Sequence, residues 1–153
     1  MRGALQASPE GLVALAQEAT ASYNVYAPDR VRPVRGSRLR QCSTRAMGLR
    51  LAASAGEGLA ASGYRLMGGR LVATQHGPAA MFMYDDDHGS RLVVLTRPMS
   101  SADQNAPKTP QSQGDVDGFA WADDGQGYSL VGHATPESLR PIANEVRKQA
   151  RAI

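Results

Sequence analysis

Three histidines, a run of aspartates and a single cysteine are the side chains with chemistry to offer in this sequence. His76, His88 and His133 lie far apart, without the i, i+4 spacing that puts two imidazole ligands on one helix face. Asp85-Asp86-Asp87 beside His88 could hold a cation weakly, but Asp and Gly are the usual turn formers, and Asp85-Asp86-Asp87-His88-Gly89 reads as a solvated hairpin tip. A calcium loop would need spaced oxygen ligands and a distal glutamate, and neither follows. Cys42 stands alone, which excludes an internal disulfide framework and a thiolate metal cluster. With Leu39, Ala46 and Leu49 at helical spacing around it, Cys42 reads as a small buried hydrophobe rather than a nucleophile.

The glycines do not make a phosphate cradle. Such a cradle needs glycines leading from a strand into a helix N-terminus, whereas Gly68-Gly69 and Gly125-Gln126-Gly127 lie between strand-like segments. No Gly-x-Ser-x-Gly elbow occurs. Trp121, Tyr128 and Tyr84 could line a small-ligand crevice, with an ordinary half-buried core as the plainer reading. The sequence therefore points away from an enzyme and assigns no catalytic, cofactor-binding or metal residue, and no cofactor.

Charge is distributed unevenly. The net +3 resolves into +5 over residues 1–100 and −2 over 101–153, and only Lys108 and Lys148 among the basic residues are lysines. Between Asp29 and Glu57 lie Arg30, Arg32, Arg35, Arg38, Arg40, Arg45 and Arg50 without an acid. A block of one sign suits a polyanion, a membrane surface or an acidic partner. Tyr23 and Tyr26 precede the block rather than interleaving it, and no helix-turn-helix spacing appears. Nonspecific polyanion or nucleic-acid binding through residues 30–50 survives as an alternative function; sequence-specific reading does not.

The elements that would position these residues follow from periodicity. The 153 residues suffice for one domain, and 42% hydrophobic with 20% charged residues is a globular balance. The longest apolar run, residues 79–84, is far short of the roughly 20 needed to span a bilayer. The first 30 residues lack the basic start and apolar stretch of a secretion signal. Ser8-Pro9-Glu10 predicts a helix start, with Leu12, Leu15, Ala16 and Ala19 as its inward stripe to about Ala21. Residues 24–26 read as a short β-like piece, and Ser37 opens a second helix to Met47. From Leu59 the period changes to two. Residues 64–67 and 70–73 flank Gly68-Gly69, as a tight hairpin or as one strand with a glycine bend. Residues 79–84 set Met81 and Met83 on one face, Phe82 and Tyr84 on the other, and residues 91–97 return until Pro98.

Residues 99–116 have little to bury and predict a mobile loop. Residues 119–121 and 128–131 form a second hairpin. Thr135, Pro136 and Glu137 open a last helix whose stripe is Leu139, Ile142, Ala143 and Val146. The expected fold is α+β: an antiparallel β-meander sheet with N-terminal helices and a C-terminal helix packed on one face.

Two stretches carry a family likeness. The first is Gly63-Tyr64-Arg65-Leu66-Met67-Gly68-Gly69-Arg70-Leu71, then Gly77-Pro78-Ala79-Ala80-Met81-Phe82-Met83-Tyr84, then Gly89-Ser90-Arg91-Leu92. The second is Gly118-Phe119-Ala120-Trp121, then Gly127-Tyr128-Ser129-Leu130-Val131-Gly132. In this order, with Ser22-Tyr23-Asn24-Val25-Tyr26 and Arg32-Pro33-Val34 upstream, they resemble the extracytoplasmic domain of PrtR-type transmembrane anti-sigma factors over roughly residues 15–150. The chain departs from that pattern at Arg32 and Arg35, where the family favours histidine and an acid, and at Cys42 and Ser43, in place of tryptophan and leucine.

The resemblance implies a non-enzymatic signalling domain on the periplasmic side of a bacterial inner membrane, regulating an extracytoplasmic-function sigma factor. Residues 1–22 would then be a juxtamembrane stalk helix, and residues 23–153 a single sensor-like α+β domain with its mobile loop at about 99–116. An envelope protein or signal ligand would bind this domain. The sigma factor would be held only through a cytoplasmic region outside this chain, with the full-length protein tethered to the membrane. Pairing between copies through a free sheet edge is open. The family's motif residues are structural, so no ligand residue carries over.

Overall fold

The structure, a computed structural model, describes residues 10–26, 59, 62–100 and 104–151. Helix α1 (Glu10–Tyr26) is followed by six strands and helix α2 (Pro136–Arg151). The strands are β1 (Tyr64–Thr74), β2 (Gly77–Asp86), β3 (Arg91–Pro98), β4 (Ala106–Gln113), β5 (Val116–Asp123) and β6 (Gln126–Gly132). They form one sheet in the order β1-β2-β3-β6-β5-β4, antiparallel throughout. Two three-stranded meanders are thus joined by the pairing of β3 with β6, in register from Leu92 opposite Gly132 to Pro98 opposite Gln126. The α+β class and the meander-like antiparallel sheet are as the sequence predicts.

The helices do not share a face. Leu12, Leu15, Ala16, Ala19 and Tyr23 of α1 pack with Met81, Met83, Val93 and Leu95. Leu139, Ile142, Ala143 and Val146 of α2 pack with Phe82, Tyr84, Val94 and Trp121, on the other side. The expected single helical face is therefore corrected to two. The reason lies in β3 and β6: Leu92 through Thr96, and all of β6, are buried without alternation. A strand whose successive side chains point to opposite faces can be buried throughout only if both faces are covered.

Three further expectations are corrected. Residues 24–26 are the last turn of α1, not a β-like piece. Nor is the helix through residue 22 a stalk apart from the domain: α1 runs unbroken to Tyr26, and Leu12 and Leu15 are fully buried in the core. Burying each of those leucines contributes about 2 kcal/mol. The mobile loop at 99–116 contains β4, paired with β5 from Ala106 opposite Ala122 to Gln113 opposite Val116. As an edge strand, β4 tolerates Pro107 and Pro110, and its half-exposed Ser, Thr and Gln need no second partner. The link from β3 is also tied down. Met99 N–H donates to the Gly125 carbonyl (2.8 Å), and Gly125 N–H to the Gln104 carbonyl (2.9 Å).

Local signals explain the rest. Gly68-Gly69 takes the strand alternative, with β1 running through both and a register shift between Leu66 and Gly68. Thr135 caps α2, its Oγ1 accepting the Ser138 N–H at 3.2 Å. The second predicted helix, residues 37–47 with Leu39, Cys42, Ala46 and Leu49, lies outside the described residues. Among the described residues no helix is long and apolar enough to cross a membrane.

The glycines of the second motif allow close approach. A Cβ on Gly118 would collide with the Leu130 carbonyl oxygen of the neighbouring strand, and one on Gly127 would press against Leu15 and Met99 under α1. Gly118→Ala is therefore expected to cost about 3 kcal/mol through overpacking against backbone. Gly89→Ala, where φ is +87° but space is open, is expected to cost about 1 kcal/mol. Urea unfolding of the two variants checks the order, and equal costs would refute it.

Candidate functional site

The charged residues that meet in this structure are not neighbours in sequence. Arg97 lies in β3 on the α1 side of the sheet, and its side chain is 4% exposed. A guanidinium cannot shed its charge to suit burial, so the site must provide an acid. Glu18 provides it from α1: its Oε1 accepts from Arg97 Nε at 2.7 Å. Glu18 Oε2 lies 2.6 Å from Nδ1 of His76, in the turn between β1 and β2. Because a carboxylate only accepts, Nδ1 carries the proton and Nε2 is the other, free ring nitrogen. Arg97 Nη1 donates to the Pro98 carbonyl at 3.2 Å, while its Nη2 is buried without a hydrogen-bond partner. One carboxylate thus ties α1 to the sheet centre and to the β1–β2 turn.

Glu18 and His76 line an open cleft of about 490 Å³ between α1 and that turn. Ala14, Ala21 and Ala73 leave the space, and Gln17, Ser22 and Gln75 give it polar walls. Thr74, also on the wall, is occupied by the turn: its Oγ1 donates to the Gly77 carbonyl (2.6 Å) and accepts the His76 N–H (3.1 Å). A carboxylate-oriented imidazole in a cleft can exchange a hydrogen bond with a bound polar group. The far end of α1 is held differently. Tyr23 is buried, its ring 5.1 Å from that of His133, and burial raises its phenol pKa against the opposing His133 backbone hydrogen bond.

The three histidines are therefore not brought together. His76 meets Glu18, His133 meets Tyr23, and the His88 N–H is held by Asp86. The aspartate run serves the hairpin, as the turn reading expects. Asp85 makes a two-pronged pair with Arg91 (2.5 and 2.7 Å), and Asp86 Oδ1 accepts from the His88 and Ser90 N–H groups. Asp87 lies 3.5 Å from Arg65 at the surface. Among the described residues no group of three His, Cys, Asp or Glu side chains is placed to hold a metal ion.

The aromatic crevice is core. Trp121 stacks on Tyr128 with centroids 5.6 Å apart, and Trp121 and Tyr84 are fully buried. Burial drives the Tyr84 phenol far above its ordinary value. Its hydroxyl and the Trp121 Nε1 have no hydrogen-bond partner. Cys42 and the arginines from Arg30 to Arg50 lie outside the described residues.

Glu18 and Arg97 were not singled out from sequence, yet each leaves a trace. Glu18 interrupts the inward stripe between Leu15 and Ala19, and Arg97 follows the apolar run Leu92-Val93-Val94-Leu95 by two residues. No protein-family model matches the chain, and no curated protein matches it.

Removing one partner of a buried pair leaves the other charge uncompensated, so Glu18→Ala is expected to cost about 3 kcal/mol. The double variant Glu18→Leu/Arg97→Met is expected to regain most of that, because no charge is left buried. His76→Ala, at the half-exposed end, is expected to cost less than about 1 kcal/mol. Urea denaturation of the set measures all three, and a double variant no more stable than Glu18→Ala would contradict the pairing.

Proposed function

We propose that this chain is a non-enzymatic signal-coupling domain: the periplasmic, extracytoplasmic part of a single-pass transmembrane anti-sigma factor that regulates an extracytoplasmic-function sigma factor. The support from sequence is the ordered set of motifs between Gly63 and Gly132. Most of their residues fall on β1, β2, β3, β5 and β6; Gly63, Gly77 and Gly89 take positive φ, and Gly118, Gly127 and Gly132 sit where neighbours press close.

The observation that carries the proposal is the seating of α1. The first helix of the domain is packed across the sheet by Leu12, Leu15 and Ala19 and pinned by Glu18 to Arg97 and His76. Binding at the cleft beside that pin would favour one seating of α1 over another, which is what coupling requires thermodynamically. The ligand would be an envelope protein or a signal molecule. The sigma factor would be held by a cytoplasmic region outside this chain, and the membrane tether would lie on the α1 side. A homodimer is compatible with this arrangement.

The test is made in the full-length regulator. Deleting residues 63–134 is expected to abolish signal-dependent release of the sigma factor, read from a sigma-dependent promoter. Normal signal-dependent release in the deletion would end the proposal.

A further inference from the structure

A pair of cations lies on the opposite face of the sheet, where α2 packs on β5 and its side chains reach the edge strand β4. Lys108 of β4 and Arg140 of α2 both stand over the buried ring of Phe119. The Lys108 ammonium is 5.4 Å and the Arg140 guanidinium carbon 5.7 Å from the ring centroid. The ring quadrupole attracts each cation, but the two repel one another. Burial, and then the charges of Arg140 and Arg147, lower the Lys108 pKa.

Among the described residues neither Lys108 nor Arg140 makes an ion pair. Arg147, the next cation on α2, is neutralised by both oxygens of Asp123 at 3.1 and 3.2 Å. Asp117, two residues before Phe119, pairs with neither cation, and neither does Glu137 in the first turn of α2. The Lys108 Nζ donates to Asn144 Oδ1, one helical turn after Arg140. Lys148, one turn further on, is exposed and adds charge of the same sign.

We propose that this corner binds an oxyanion of the phosphate class, free or as a lipid headgroup, between the Lys108 ammonium and the Arg140 guanidinium. Two cationic groups arriving from different elements suit a tetrahedral anion better than a planar carboxylate. The guanidinium fork takes two oxygens, and the ammonium, with donors beyond the one given to Asn144, takes a third. The site shares no residue with the arginine block of residues 30–50 or with the α1 cleft, and it stands whether or not the chain is an anti-sigma domain.

The experiment is a phosphate titration of the whole 153-residue chain at low ionic strength, followed by amide NMR. Saturable shifts are expected at Phe119 and at the Asn144 side-chain amide. The variant Lys108→Gln/Arg140→Gln is expected to bind about tenfold more weakly or worse, from loss of charge-assisted hydrogen bonds. Arg65→Gln, in the other meander, should bind as the parent does. Arg140 is exposed, so Arg140→Gln alone keeps the fold and carries the test if the double variant is unfolded. A parallel arm uses phosphatidylglycerol vesicles, with phosphatidylcholine as the neutral control. Variant-sensitive vesicle binding without a response to inorganic phosphate supports the headgroup source. No saturable response in either arm, or binding undiminished in the variants, overturns the proposal.

Discussion

The pairing of β3 with β6 is the contact on which the rest of this molecule depends. It joins two three-stranded meanders and puts the most apolar strands at the centre, where neither face meets water. A sheet buried on one side only could manage with one helical layer. This one needs a cover on each face, so α1 and α2, at opposite ends of the described chain, are both structural necessities. The outer strands are relieved of that demand, and β4 can be built from Pro, Lys, Gln and Ser because it lies at the edge.

The same constraint accounts for the charge at the centre of the α1 face. Arg97 lies near the end of β3 within the buried layer, and its position is tenable because α1 brings Glu18 to it. The apolar stripe of α1 sets how deeply the helix sits, while the Glu18 pin fixes its rotation and its place along the strand. Charge pairs add specificity of this kind even where their net stabilisation is small. In the proposed coupling role, an event at the open cleft would act on α1 through this pin.

Much of this was legible in the sequence where local chemistry decides. The stripe of α2 with its Thr135 cap, the hairpins at Asp87-His88-Gly89 and Asp124-Gly125, and the opposite facing of Met81 and Phe82 all follow from short-range pattern. What was missed depends on distance. Glu18 and Arg97 are 79 residues apart, and nothing near either one names the other. The strand β4 has poor strand propensity and exists because β5 offers it a ladder, so composition alone reads as loop. The two-sided sheet did leave a signal: Leu92-Val93-Val94-Leu95 is continuous rather than alternating, which asks for burial on both faces. Residues 24–26 went the other way, their β-leaning side chains overruled by continuation of a helix already anchored at Tyr23.

If α1 is a full layer of the domain, it cannot come away from the sheet without the whole fold opening. Native-state hydrogen exchange measures this directly, because each amide reports the free energy of the opening that exposes it. The slowest amides of α1, around Leu15 and Ala19, should share the opening free energy of those in β3 and β6. Exchange of the α1 amides through a separate opening, several kcal/mol cheaper than that of the central strands, would contradict the account.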